Sequence, residues 1–489
     1  MILRGYVKAF CFLGLGLISS CVVGPQYSRP QVNTPKTLAD QKDLSTQGTP
    51  ETTFGAAQHF NPQQEIPAQW WKIFHSKALN ALILASFQHN PDIGAAKASL
   101  RAAKEEILAF QGIYFPFIGF SGIPSKQQTA KILTSVLASN QYDYALYTGQ
   151  LYLTYNPDVF GGNRRHEESL IAQANYQQLQ LQATYLSLAA NVVNAAIQEA
   201  ALREQIQTTK DIIHNEEKIL ILTQSRYKFG DASEADIATE EATLAAAKAT
   251  LPILKKQLIM QRNLLNALTG RLPHDKHTPE FRFSSLQLPK DLPLSIPSTL
   301  LEHRPDIRAA EEQMKSANAL IGVAVANRLP NFNFGFTNAG TTTANLNTLF
   351  SGDTLFWSLA GIITQPIYDA GTRLHHQRAA EAYYHQAADL YRSTVIHAFQ
   401  NVADTLNAIR QDALELQTAD AAARAALKTL NISRKQWRAG DINIFILSTY
   451  QQRYRQAQMN LIQSQASRLS DTVALYQALG GSWWSDQLQ

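Results

Sequence analysis

The chain has 489 residues, 17% of them charged, and a formal net charge of only +4. No basic block or basic–aromatic tract is present, which excludes a nucleic-acid binder. Beyond the N-terminus no apolar run approaches the roughly 20 residues of a spanning helix, which excludes a helical membrane protein but not a β-barrel, whose strands carry a weaker hydropathy signal.

Residues 1–20 have the form of a secretory signal peptide. Arg4 and Lys8 precede the apolar stretch AFCFLGLGLI, and the small residues Ser19 and Ser20 follow it. The tetrad ISSC resembles the bacterial lipobox, so Cys21 is the expected first mature residue and lipid acceptor. Cys11 leaves with the signal peptide, and a mature chain with a single cysteine forms no internal disulfide. Residues 21–66 are expected to be an extended segment.

An internal repeat organises the rest. PDIGAAKASLRAAKEEILAFQGIYFP (91–116) is matched without a gap by PDIRAAEEQMKSANALIGVAVANRLP (305–330). NPDVFGGNRRH is answered by QPIYDAGTRLHH, pairing Gly162 with Gly371 and Arg164 with Arg373. RYKFGDA is answered by QWRAGDI, pairing Gly230 with Gly440. Two copies about 210 residues apart make a duplicated fold. The first repeat is assigned to 67–280 and the second to 305–481, with a linker over 281–304 and a tail over 482–489.

In the first repeat the pattern predicts helices over 91–115, 163–229 and 231–269, with strands over about 114–124 and 143–157. In the second it predicts helices over 306–328, 372–439 and 441–479, with strands over about 331–342 and 355–367. The runs from Asn163 to Phe229 and from Thr372 to Ala439 contain neither Gly nor Pro. At 1.5 Å per residue each allows a helix on the order of 100 Å long. Pro252 is expected to kink its helix or leave a carbonyl unpaired.

The strands alternate. NFNFGFT sets Phe332, Phe334 and Phe336 on one face and Asn331, Asn333 and Thr337 on the other. The apolar face packs inward in a soluble sandwich and outward against lipid in a membrane barrel. Two hairpins cannot close a barrel, because the smallest membrane barrels have about eight strands. Open edges require other copies, and three copies supply about twelve strands.

In order along nearly the whole mature chain, CVVGPQYSRP, PAQWWKIF, NPDI, FGGNRR, RPDIRAAE, IGVAVANRLPNF and QPIYDAGTR resemble the outer-membrane factor family of tripartite efflux systems. These are the TolC-like ducts, and the closer likeness is to the OprM/NodT-type lipoproteins. The resemblance implies a mainly α fold with a membrane β-barrel. Each protomer would contribute four strands to a trimeric twelve-stranded barrel continued by a long α-helical barrel in the periplasm. It implies a homotrimer in the bacterial outer membrane, lipid-anchored, with Phe332, Phe334 and Phe336 facing lipid. A periplasmic adaptor and an inner-membrane pump are the implied partners, and drugs or other small toxic compounds the implied cargo. An ATP-driven protein-secretion duct is the alternative.

The resemblance also places a gate at the periplasmic helix ends, near the reversal turns at Gly230 and Gly440. Thr449 and Gln452 stand where relatives carry a charged lock, and Phe445 stands where a constricting apolar residue is common. Asp231, Glu234, Asp236, Glu240 and Glu241 crowd the corresponding turn of the first repeat. Around a threefold axis such acids would form a cation-favouring ring, with Asp236 facing the pore. Acids in a first helical turn also simply complement the helix dipole. No constellation supports an enzyme: His375 and His376 are adjacent and point about 100° apart on a helix. No cofactor is expected beyond the covalent lipid. Long Ala-rich helices would also suit a coiled-coil adhesin, but the aromatic hairpins tell against it.

Overall fold

The computed structural model describes residues 22–30 and 44–481, apart from 63, 65, 135, 138, 139, 274, 276, 295 and 296. Cys21, the expected lipid acceptor, lies outside the described residues. In chain order the elements are β1 (His59–Asn61), α1 (Lys77–His89), α2 (Pro91–Gln111), β2 (Phe117–Gln128), β3 (Asp143–Tyr155), α3 (Gly162–Lys228) and α4 (Glu234–Leu268). There follow β4 (Asp291–Pro293), α5 (Pro297–His303), α6 (Pro305–Ala326), β5 (Asn331–Thr343), β6 (Leu355–Trp357), β7 (Ala360–Thr364), α7 (Thr372–Ala439) and α8 (Ile444–Ala478).

The breaker-free runs are unbroken helices, α3 of 67 residues and α7 of 68. Each starts at an aspartate that satisfies orphan amides of the first turn. Asp158 accepts from the backbone N–H groups of Asn163 and Arg164, both at 2.9 Å. Asp369 accepts from those of Gly371 and Arg373 at 3.0 and 3.1 Å. The expected helix over 91–115 is shorter. A 3₁₀ turn at Gly112–Tyr114 ends it, and Phe115 is extended, as a residue before proline must be. Strand β2 therefore begins at Phe117 and runs beyond 124 to Gln128, tolerating Pro124 because it is an edge strand.

The described chain divides into two compact units, one of residues 22–30, 99–177 and 310–391, the other of 44–98, 178–309 and 392–481. The first holds an antiparallel sheet in the order β2–β3–β5, with β6 and β7 both pairing with β5. Register pairs Ile118 with Leu153 and Phe120 with Leu151, and on the other face Ser121 with Gln150 and Ile123 with Thr148. Thr148 and Thr342 share a 3.0 Å hydroxyl contact on that second face. Phe120, Leu151, Leu355 and Trp357 are all well exposed. One face is thus apolar and bare, and the other is mostly polar.

The strand expected over 355–367 is instead two short strands. The cause is a bulge in β5: its partner β3 pairs Leu151 with Ala339 but Leu153 with Phe336. On the opposite side β6 pairs with Ala339–Thr341 and β7 with Asn331–Gly335, so the gap at residues 358–359 faces the same irregularity. Phe332 pairs with Ile363, and Phe334 is exposed. The side chains of 335–338, including Phe336 and Thr337, fall outside the described set.

The N-terminal residues 22–30 form a strap in this unit. Val23 donates its N–H to the Phe160 carbonyl at 3.1 Å. The Arg165 guanidinium donates to the Val23 and Gly24 carbonyls, and Asn318 donates to that of Pro25. Arg29 reaches Glu311 at 3.1 Å and donates to the Tyr391 hydroxyl. Gly24 has φ +97°, and a Cβ there would lie 2.5 Å from the Gly322 Cα, so close backbone crossing requires glycine.

In the second unit β1 pairs in parallel with β4. Trp70, Trp71 and Phe74 are buried, and Trp70 stacks on Tyr476 of α8 at 5.6 Å. Fully buried Arg468 of α8 donates to the Ala56 carbonyl at 2.7 Å and to Thr46 at 3.2 Å. The segment expected to be merely extended is therefore fastened to α8 through Thr46, Ala56 and Gln58. The segment expected to be a linker holds β4 and α5.

Candidate functional site at the helical hairpin tips

The turns α3–α4 and α7–α8 are built alike. Gly230 and Gly440 have φ of +82° and +84°. The N–H groups of Asp231 and Asp441 bond back to the carbonyls of Arg226 and Gln436, both at 2.9 Å. This is the Schellman closure, which needs a left-handed residue after the last helical turn. Helices α4 and α8 begin at Glu234 and Ile444 rather than at 231 and 441, because the intervening residues make the turn and the cap. Ser233 and Asp236 form a reciprocal capping box, and Asn443 caps Ile446 at 3.0 Å.

Above the turns the two hairpins pack through Ile219 of α3, Leu430 and Trp437 of α7, and Ile444 and Leu447 of α8. Arg226 donates to the Trp437 carbonyl at 2.8 Å and lies 5.3 Å from its ring. Thr243 of α4 and Ser448 of α8 are hydroxyl to hydroxyl at 2.6 Å. In the same packing, Glu216 of α3, one turn in from Ile219, and Glu240 of α4, one turn before Thr243, are fully buried, 1% and 0% exposed. Gln451 of α8 donates to Glu240 at 3.4 Å, while neither oxygen of Glu216 has a hydrogen-bond partner. Burial pushes Glu216 up to about 7, aided by Glu240 and opposed by Arg455 and Arg434. Burial likewise pushes Glu240 up to about 7, against Gln451 and Arg434. Burial also lowers the Arg434 guanidinium.

Among the residues expected here, Asp231 is exposed in the turn. The Asp236 carboxylate accepts from the Ser233 N–H at 2.7 Å and from its hydroxyl at 2.9 Å, so capping occupies it. Phe445 is 69% exposed, as is Phe229 at 85% on the other turn. The Thr449 hydroxyl donates to the Phe445 carbonyl of its own helix at 3.0 Å, and Gln452 is exposed. Neither joins one hairpin to the other. The residues that do the joining, Arg226 with Trp437 and Thr243 with Ser448, and the buried Glu216 and Arg434 beside them, are not among those expected from the sequence. Their signal is an acid in phase with apolar residues: Ile212, Ile213, Glu216 and Ile219 are all buried on α3. Among the described residues no His, Cys, Asp and Glu cluster suited to a metal is present.

The outer membrane efflux protein family matches residues 82–271 and 296–481, one match in each repeat. The chain is 27% identical over 427 residues to the pyoverdine export outer membrane protein OpmQ of Pseudomonas putida, covering 86% of this chain and 90% of that protein. It is 26% identical to the outer membrane protein OprJ of Pseudomonas aeruginosa, covering 95% and 94%. Among solved structures, the outer-membrane channel OprN superposes with a TM-score of 0.83 at 25% identity, over 95% of this chain and all of that one. The CmeC channel of Campylobacter jejuni shares the fold with a TM-score of 0.82 at 21% identity, over 94% and 95%. Matched in both halves and along nearly its whole length, the chain belongs to the outer membrane efflux protein family and is an outer-membrane efflux channel, not an enzyme.

Proposed function

We propose that this channel is the exit duct of a tripartite pump, a lipid-anchored homotrimer that passes small toxic compounds received from an inner-membrane transporter and a periplasmic adaptor. The observation that carries the reading is the sheet with two open edges and one bare apolar face, in a chain matching efflux channels over its length. Open edges are completed by further copies, and the apolar face suits lipid. The relatives' names span pyoverdine, toluene, antibiotic and cation efflux, which supports a small cargo. Cys21 carries the anchor, and the hairpin tips, with Phe445 and Phe229 exposed, form the periplasmic gate. A photo-crosslinker placed near Gly440 in cells tests the assignment. Capture of an adaptor encoded for a drug or metal pump, with hypersensitivity on deletion, supports it. Capture of a secretion adaptor instead makes the cargo a polypeptide and overturns it.

A further inference from the structure

We propose that Glu216 and Glu240, facing Arg434 and Arg455 across the interface of the α3–α4 and α7–α8 hairpins, form a proton-sensitive latch that holds the hairpins together when protonated and releases them when ionised. The latch stands on geometry. Its groups come from every helix of the two hairpins, and both acids lie on one hairpin while both arginines lie on the other.

The acids sit among apolar side chains. Glu216 falls between Ile213 and Ile219, and Glu240 lies one turn before Leu244, all of them buried. A neutral carboxyl is tolerated there, whereas a carboxylate without a donor is not. Both Glu216 oxygens and one of Glu240 lack partners, and so do Arg434 Nε and Arg455 Nη1. In the packed arrangement these polar atoms of the acids and the arginines are therefore buried without hydrogen bonds. Ionising the acids leaves carboxylates short of donors in that apolar packing, which favours moving α7–α8 away from α3–α4 so that water reaches them.

Arg438 of α7 lies beside Arg434, and Tyr454 of α8 feels both Arg434 and Asp211 of α3. Glu217 of α3 and Lys248 of α4 pair at 2.8 Å on the exposed side. None of these supplies a hydrogen bond to Glu216.

The sign follows from proton binding. The packed hairpins hold protons on Glu216 and Glu240 up to about pH 7, whereas separated, solvated carboxyls release them in the ordinary range near 4.5. Between those values the packed state binds more protons, so packing is strongest below the window and weakens as pH rises through it.

The effect on conduction rests on the gate reading above, so two readouts are needed on the full-length protein. Spin labels at exposed Lys218 of α3 and Gln436 of α7 report the hairpin separation directly. Planar-bilayer recordings report the open fraction. Raising the pH from about 5 to about 8 should lengthen the spin–spin distance and raise the open fraction, with Glu216→Gln/Glu240→Gln flattening both. Arg455→Gln, which removes an opposing cation, should move the transition to higher pH. It provides the check should the double variant not fold. A wild-type distance that ignores pH, or an unaltered response in the double variant or in Arg455→Gln, overturns the latch. A distance that responds while conductance stays flat keeps the latch and overturns the gate reading.

Discussion

Single residues fix the hairpin tips in ways the sequence shows only in part. Gly230 and Gly440 stand out because the repeats share Gly-Asp, and both adopt left-handed backbone with open space where a Cβ would go. Gly→Ala at either position should therefore cost only backbone strain, about 1–2 kcal/mol, seen as faster amide exchange over 226–236 or 436–446 without altered packing. Asp236 separates two roles. Its carboxylate caps α4, so Asp236→Ala should release the turn and leak, while Asp236→Asn keeps an acceptor and should hold near wild-type leak in single-channel recordings. Equal leak in both variants would return the role to charge. Glu216 is legible only as an acid in phase with apolar residues of α3, while its neighbours on α4, α7 and α8 are not, because no local pattern announces three-dimensional contacts.

The long helices α3 and α7 are readable from an absence, since runs without Gly or Pro and rich in Ala, Leu and Gln have little alternative to helix. Strand β5 is readable only at its start. NFNF alternates, but the bulge that follows splits its neighbour into β6 and β7, and the sequence marks it with nothing stronger than small polar residues. Helix α4 continues through Pro252, whose ring removes one intrahelical donor. Pro252→Ala should restore the bond to the Lys248 carbonyl and stabilise the helix by about 1–3 kcal/mol, measured as a raised denaturation midpoint. An unchanged or lowered midpoint would mean that Pro252 is compensated by its packing.

At the scale of the whole molecule, the two faces of the sheet carry opposite tolerances. Phe120 stands 71% exposed on the apolar face, while Gln150 lies on the polar one. Phe120→Lys should cost up to about 2–4 kcal/mol of membrane insertion, depending on depth, while Gln150→Lys should assemble normally and alter selectivity instead. The fraction of heat-modifiable oligomer in outer-membrane extracts distinguishes them, and equal assembly of both would reverse the assignment of faces. Period-two alternation is enough to make the two faces legible in the sequence, but how copies join is not written in one chain's pattern. The N-terminal strap adds a constraint of time. Its residues are made well before their partners, for Arg29 docks on Tyr391, 362 positions later, and Pro25 on Asn318, 293 positions later. Until α6 and α7 have been delivered the strap has nothing to hold, and if Cys21 is the lipid acceptor proposed above, that is the interval in which it would be modified. An early-made segment thus waits for late-made helices before it can dock.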